Sequence, residues 1–474
     1  MLFLYRTVLL CLAFCGSVLI SFNPAFASEV TDKVNPLIEQ GHFDEARAKI
    51  KEYLAKNPKN VDALMMQGNV ILQEYWKREP TLGSYANDNE SIYDSSIGFI
   101  GERERRVSRD VALQVAALWK RCLAIDNTRE DIHKGLAYLY AMALMKQELI
   151  QQLGHMKAAL PHAKELQYNM GDYARMFNAR GRFNDAVDVF REMLKLYPND
   201  ANVYNDLAAL YFLEGHLKEA QRYMAIAVSS AHPDDATYGT AVMIFTMLTD
   251  YDRALDASKH LSRLKKDNRW LLYRALLLRS KGEVSWKADL SEFLRQSGND
   301  ADDLTLAKLL TNDSKNNFDV YTEVMAKAKK NYQLVLLHRW AMRTFPTRYE
   351  PQFKYAEIMN QYRNYDESVP VFKRLAARSD LDTDKRQTIL FHYAWAFQDS
   401  GRLAQANALW NELTTSNNFY VKSAAVYFLG KEALRKGDNE QALAYFRRVS
   451  DDASKSKYAT LAWNKVNWFK EQKK

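Results

Sequence analysis

Apolar positions along this chain follow a helical rhythm, and the rhythm itself recurs. Ala186, Ala220 and Ala254 stand one step of 34 residues apart. Phe183, Leu217 and Tyr251 keep that step three residues upstream of each alanine. Phe177, Tyr211 and Phe245 keep it nine upstream, and Ala174, Ala208 and Val242 twelve upstream. Offsets of three, nine and twelve gather these side chains on one face of a helix or of the helix paired with it. A stretch that recurs at one period builds one structural unit repeatedly, each unit offering its neighbour the surface that its other neighbour offers it. The pattern predicts antiparallel helix pairs sharing a continuous core, with function carried by a surface.

Between residues 168 and 233 the positions form two full periods. Tyr173-Ala174, Phe177, Gly181, Phe183, Ala186, Phe190 and Pro198 are followed by Leu207-Ala208, Tyr211, Gly215, Leu217, Ala220, Met224 and Pro233. The small residues let two helices approach closely, glycine relaxes the turn between them and proline closes the unit. This arrangement resembles the tetratricopeptide repeat. The resemblance implies an all-α, right-handed superhelical solenoid of antiparallel helix pairs. It also implies a concave groove, lined by the first helix of each pair, that holds an extended peptide or a partner helix.

Four stretches follow from reading the period outward. Residues 1–27 read as a signal peptide and 28–270 as an N-terminal solenoid. Its first unit shows Gly41, Phe43, Ala46, Ile50 and Pro58, and its second opens with Leu64, Gly68 and Ile71. That second unit is interrupted by an insertion at about 76–108, polar with Tyr85, Tyr93 and Phe99 isolated in it, and its second helix resumes at Arg109 to Ile125. Long insertions are uncommon in compact solenoids and carry either function or plain connection. Residues 271–348 keep helical spacing, as in Leu304, Ala307, Leu310 and Leu334, Leu337, Ala341, without a clear register. The signature returns over 349–474 as Tyr355-Ala356, then Tyr393-Ala394, Phe397, Gly401, Ala406 and Trp410, then Leu429-Gly430 and Phe446. A final helix at roughly 456–470 is expected to cap the stack with Ala459, Ala462 and Trp463.

The ends and the composition narrow the setting. Arg6, an uncharged apolar run from Thr7 to Phe22, and Ala25-Phe26-Ala27 read as a cleavable secretory signal rather than a spanning anchor, with cleavage after Ala27. Cys11 and Cys15 leave with it, so the remaining chain keeps Cys122 alone and forms no internal disulfide. Cys122 sits in a helix-like run and reads as a small buried hydrophobe. Apolar residues make up 47% and aromatics 12%, enough for an extended core. The net charge of +8 is mild for 474 residues. It is spread through mixed-sign helices except at Arg103 to Arg106 and the Lys470, Lys473, Lys474 tail. Nucleic acid is not an expected partner, because no basic stripe interleaved with aromatics is present. No integral membrane span is expected after the signal.

No catalytic, cofactor or metal constellation assembles, since the nine histidines are dispersed and no His-Glu-x-x-His, Cys-x-x-Cys, phosphate loop or Gly-x-Ser-x-Gly is present. His232-Pro233-Asp234 falls at a junction between units, where Pro and Asp are ordinary helix-boundary residues. The expected site is therefore the groove. If Leu390, Tyr393, Ala394 and Phe397 face the core, then Phe391, His392 and Trp395 turn outward, joined by Tyr427, Phe428 and Lys431 on the next first helix. Large rigid rings with a cation suit a binding hot spot. A more polar stretch is expected from Tyr138, Arg175, Asn178, Asn202, Asn205 and Phe212, although Asp206 argues against capture of a chain-terminal carboxylate. The reading is a non-enzymatic scaffold or adaptor of a bacterial cell envelope, exported and periplasmic, with other proteins as partners. A component of an outer-membrane export or envelope-assembly machine, and a glycan-acting enzyme using Glu90 in the insertion, are the alternatives.

Overall fold

The computed structural model describes residues 28–78, 107–161, 165–264, 268–296, 301–311, 318–327, 331–451 and 456–471. The expected signal peptide, most of the expected insertion with Tyr85, Glu90, Tyr93 and Phe99, and the Lys473-Lys474 tail lie outside them. The described residues contain 24 helices and no strand. They fall into two compact units, one made of those in 2–211 and 218–240, the other of those in 212–217 and 241–474.

The first unit begins with α1 (Glu29–Gln40) and α2 (Phe43–Lys56), followed by α3 (Val61–Arg78) and α4 (Arg109–Ile125). It continues with α5 (Glu130–Met142), α6 (Lys146–Ala159), α7 (Glu165–Asn178) and α8 (Phe183–Leu196). Most of α9 (Ala201–Leu213) and α10 (Leu217–Ser229) belongs to it as well. Ser28 starts α1 by accepting a hydrogen bond from the Thr31 amide at 3.2 Å, satisfying one of the donors that a helix start leaves orphaned. The pair α3 and α4 is locked by one residue although 79–108 separate the helices in sequence. Trp119 of α4 is 2% exposed, and its indole N–H donates to the Met65 carbonyl at 3.1 Å. The indole lies over Gly68 of α3 and Gly135 of α5, the only side-chain type that leaves it room. A Cβ on Gly68 would stand 2.4 Å from Trp119 Nε1.

The second unit holds the rest of α11 (Asp235–Met247), then α12 (Tyr251–Leu264), α13 (Arg269–Lys281), α14 (Trp286–Arg295), α15 (Ala301–Thr311) and α16 (Phe318–Lys327). After these come α17 (Asn331–Thr344), α18 (Tyr349–Gln361), α19 (Tyr365–Ala376), α20 (Thr383–Asp399), α21 (Leu403–Leu413), α22 (Phe419–Arg435), α23 (Asn439–Ser450) and α24 (Lys457–Glu471).

One backbone device makes the helix pairs. Nine described residues have left-handed backbone, and each sits in the turn between the two helices of a pair. Six are glycines, among them Gly41, whose amide bonds to Ile38 O while the next amide bonds to Leu37 O. This closing motif satisfies the last carbonyls of the first helix. The other three are Leu144, Thr249 and Arg363, where the same bonds form around a side chain that disfavours the conformation. Arginines then fasten turn to turn by donating to helix C-terminal carbonyls, which attract cations. Arg180 bonds Met142 O at 2.6 Å, Arg182 bonds Leu144 O at 2.9 Å and Arg343 bonds Ser280 O at 2.9 Å.

The weak-signature region departs from regular stacking. Gly282 marks α13 and α14 as a pair, and Arg363 marks α18 and α19 as another. Three helices lie between these pairs, so one has no partner within a hairpin. The chain accommodates the odd helix by laying α17 back against α13. Arg279 of α13 is clasped between Trp286 at 4.4 Å and Trp340 at 4.5 Å, and donates to Leu310 O at 2.6 Å. Helix α16 is held to α17 by Phe318, Tyr321, Trp340 and Phe345 packed around Ala341.

The last helix covers the end of the stack with a different face from the one expected. Tyr458, Ala462, Val466 and Phe469 are buried, a spacing of three and four that forms one stripe. Trp463 is not part of it, being 58% exposed.

Candidate functional site

In the first unit, the polar positions picked out by the sequence lie on the first helices of three consecutive pairs. Tyr138 on α5, Arg175 and Asn178 on α7, and Asn202 and Asn205 on α9 are each partly exposed. They are neither core nor fully solvated. Arg175 ties two of these helices together, pairing with Asp172 on its own helix and with Asp206 of α9 at 3.0 Å. Gly171 makes this possible, since a Cβ there would meet Asp206 Oδ2 at 2.0 Å. Burial pushes the Asp206 carboxyl above the ordinary aspartate range, and Arg175 draws it back. Asn205 points its amide N–H₂ toward Asp206 at a long 3.4 Å. Its carbonyl oxygen is buried and accepts no hydrogen bond among the described residues. A buried acceptor without a donor is costly, of the order of 1–3 kcal/mol. The face thus combines a cation, a carboxylate and amides, with one unmet acceptor buried beneath it.

Phe212 does not join that face. It is 2% exposed and stacks on Tyr362 at 5.6 Å within the second unit.

The aromatic patch expected on α20 and α22 is core. Phe391, Trp395, Tyr427 and Phe428 are 6%, 5%, 1% and 6% exposed. Trp410 of α21 stacks on Phe428 at 4.9 Å and 13° and meets Phe391 edge-on at 5.8 Å. Tyr427 packs against Phe446 and against Tyr458 of the last helix. Trp395 packs on Phe428 at 6.1 Å and directs its indole N–H to Asp399 at 2.7 Å. The physical reason is that each first helix is covered on two sides, by its own partner and by the first helix of the next pair. Positions flanking Ala394 are therefore buried together with it. The signal was available, since residues 389–397 are apolar nearly all round the helix, and such a helix is buried all round. Of this set only His392 and Lys431 keep partial exposure. His392 lies edge-on to Phe353 at 5.1 Å, with burial lowering its pKa against the pull of Glu357 at 3.8 Å. Lys431 sits 5.9 Å over the Phe428 ring.

Among the described residues no group of three or more His, Cys, Asp and Glu side chains could hold a metal ion. Cys122 is buried, directs its thiol toward Val61 O at 3.5 Å, and is pushed by burial to a pKa of about 11, so it remains a thiol. Asp234 of the His232-Pro233-Asp234 run caps α11 by accepting from the Thr237 amide at 2.7 Å and hydroxyl at 2.8 Å. No helix among the described residues is long and apolar enough to cross a membrane.

Helix pairs turning on left-handed residues, with small residues at their contacts, are matched by two family models described as tetratricopeptide repeat, one over residues 177–242 and one over 31–74 and 391–456. Those segments match the tetratricopeptide repeat. No curated protein matches it in sequence. Among solved structures it is similar to pilF of Pseudomonas aeruginosa, at 14% identity and a TM-score of 0.26 over 50% of this chain and 90% of that one. It is also similar to the TPR domain of P58(IPK), at 11% identity and 0.23 over 87% and 99%. A tetratricopeptide repeat protein of Parabacteroides merdae matches at 14% and 0.23 over 63% and 96%. Tetratricopeptide repeats imply a protein–protein interaction scaffold and are generally not catalytic.

Proposed function

We propose that the chain is an exported scaffold or adaptor of the bacterial cell envelope, residing in the periplasm. It holds an extended segment or helix of another protein against Tyr138, Arg175, Asn178, Asn202 and Asn205. The observation that carries this reading is that these polar side chains stand part-exposed on the first helices of three consecutive pairs, with Arg175 and Asp206 joining two of those helices. Their side-chain amides suit the alternating donors and acceptors of an extended peptide. Export is supported by Arg6, the apolar run Thr7 to Phe22 and the small residues before Ser28.

A photo-crosslinking side chain placed at Asn202 in intact cells tests both parts. A discrete protein adduct recovered from the envelope is expected, and it should weaken when Asn205→Ala and Arg175→Ala are introduced together. A protein whose N-terminus is still Met1, or an adduct indifferent to both substitutions, contradicts the export and the recognition readings respectively.

A further inference from the structure

The last helix leaves a face that the fold does not use. Its buried stripe, Tyr458, Ala462, Val466 and Phe469, is spent on the preceding pair, with Tyr458 against Tyr420 and Tyr427 and Phe469 against Phe446. The remaining surface carries Trp463 at 58% and Trp468 at 44% exposure, five residues apart and so on either side of an exposed strip that holds Thr460 and Asn464. Two large rings standing in water on one helix are a poor arrangement for the isolated chain, since each forfeits its transfer free energy.

Charge indicates what covers them. Residues 456–474 contain five lysines, Lys457, Lys465, Lys470, Lys473 and Lys474, against one acid, Glu471. The resulting +4 is half of the net +8 of the whole chain, gathered in its last 19 residues. Indole rings have an apolar body and a polar N–H, which suits them to the headgroup level of a bilayer. Lysines interspersed among them draw a helix to anionic lipid.

We infer that α24 docks the protein on an anionic membrane surface, with Trp463 and Trp468 entering the headgroup region and Lys457, Lys465 and Lys470 of the same helix drawn to lipid phosphates. Attachment of this kind is peripheral and reversible, and it is independent of the face on α5, α7 and α9.

Co-sedimentation of the protein starting at Ser28, which contains every described helix, tests it. Vesicles of phosphatidylglycerol with phosphatidylethanolamine are compared with vesicles of phosphatidylcholine. Binding to the anionic vesicles is expected, falling about tenfold in Trp463→Ser with Trp468→Ser, and by a similar factor in Lys465→Gln with Lys470→Gln. Both tryptophans are exposed, so helix content measured by circular dichroism should not change. Equal binding to the two vesicle types, or unaltered binding by the tryptophan variant, overturns the inference. So does a parent protein that ignores vesicles but dimerises through these rings, as light scattering of the same variants would reveal.

Discussion

Arg363 donates to the carbonyl oxygen of Glu214 at 2.7 Å, across 149 residues of chain. Its aliphatic stem lies over Gly215, and the next residue, Asn364, donates to Met247 O at 2.9 Å. Three hairpin turns, those after α9, α11 and α18, therefore meet inside the second unit. The contact is bought with backbone strain, because Arg363 has φ 57° where glycine is the ordinary occupant. Arg363→Ala keeps the strain and loses the bond, whereas Arg363→Gly loses the bond and relieves the strain. Both variants should unfold more readily in urea, with the alanine variant less stable than the glycine variant by about 1 kcal/mol. The reverse order would mean that the turn is not held as described.

Trp395 and Phe428 give a prediction opposite to the one their sequence positions suggest. As an exposed hot spot they could be truncated without harm to the fold. As rings 5% and 6% exposed in a shared aromatic core, each truncation to alanine leaves a cavity and should cost about 3–5 kcal/mol. Thermal unfolding followed by circular dichroism measures this directly, and an unchanged melting temperature would return both rings to the surface.

His338 makes stability depend on pH. It is 4% exposed, hydrogen-bonded through Nδ1 to Tyr321 OH at 2.7 Å, and burial pushes its pKa from 6.5 down to about 3. As pH falls below 6.5 the unfolded chain takes up the proton and the folded chain does not. The stabilisation is complete above that pH and is lost as pH drops toward 3, at up to about 1.4 kcal/mol per unit. Between about pH 7.5 and about pH 5 the histidine's share is about 1–2 kcal/mol. His338→Gln should be less stable at the higher pH, having disturbed the Tyr321 bond, yet show a shallower decline. Parallel slopes in urea titrations at the two pH values would remove His338 as the source.

How much of this was legible in the sequence depended on whether contacts were local. Positions such as Ala186, Phe190, Ala208 and Ala220 recur at one period, and their packing against the adjacent helix follows from that period. Turns at Gly41, Gly181 and Gly215 advertise themselves. Those at Leu144, Thr249 and Arg363 do not, because the left-handed conformation is sustained there by tertiary bonds instead of by residue type. The return of α17 onto α13 is likewise silent, since Arg343 to Ser280 and Arg279 to Trp340 are long-range pairings outside any repeat. Of the candidate site, polar residues such as Arg175 and Asn205 were placed by their spacing from the core positions. The rings on α20 and α22 were misplaced because a helix apolar all round has no polar face to orient it.

Glycines in helix interiors offer a last test, because propensity and packing pull in opposite directions. Alanine is favoured over glycine in a helix by about 1 kcal/mol. At Gly154 of α6 a Cβ meets nothing within 4 Å, so Gly154→Ala should stabilise the protein by about 0.5–1 kcal/mol. At Gly68 a Cβ would sit 2.4 Å from Trp119 Nε1, and the indole cannot retreat. Its N–H is bound to Met65 O, and its far edge already lies 3.0 Å from where a Cβ on Gly135 would be. Gly68→Ala should therefore destabilise by about 1–3 kcal/mol despite the better helix former. Adding Trp119→Phe to Gly68→Ala removes the clashing nitrogen, so the double variant should recover part of the loss, and a double-mutant cycle isolates that coupling. Additive losses would show that α3 and α4 are not joined through this indole.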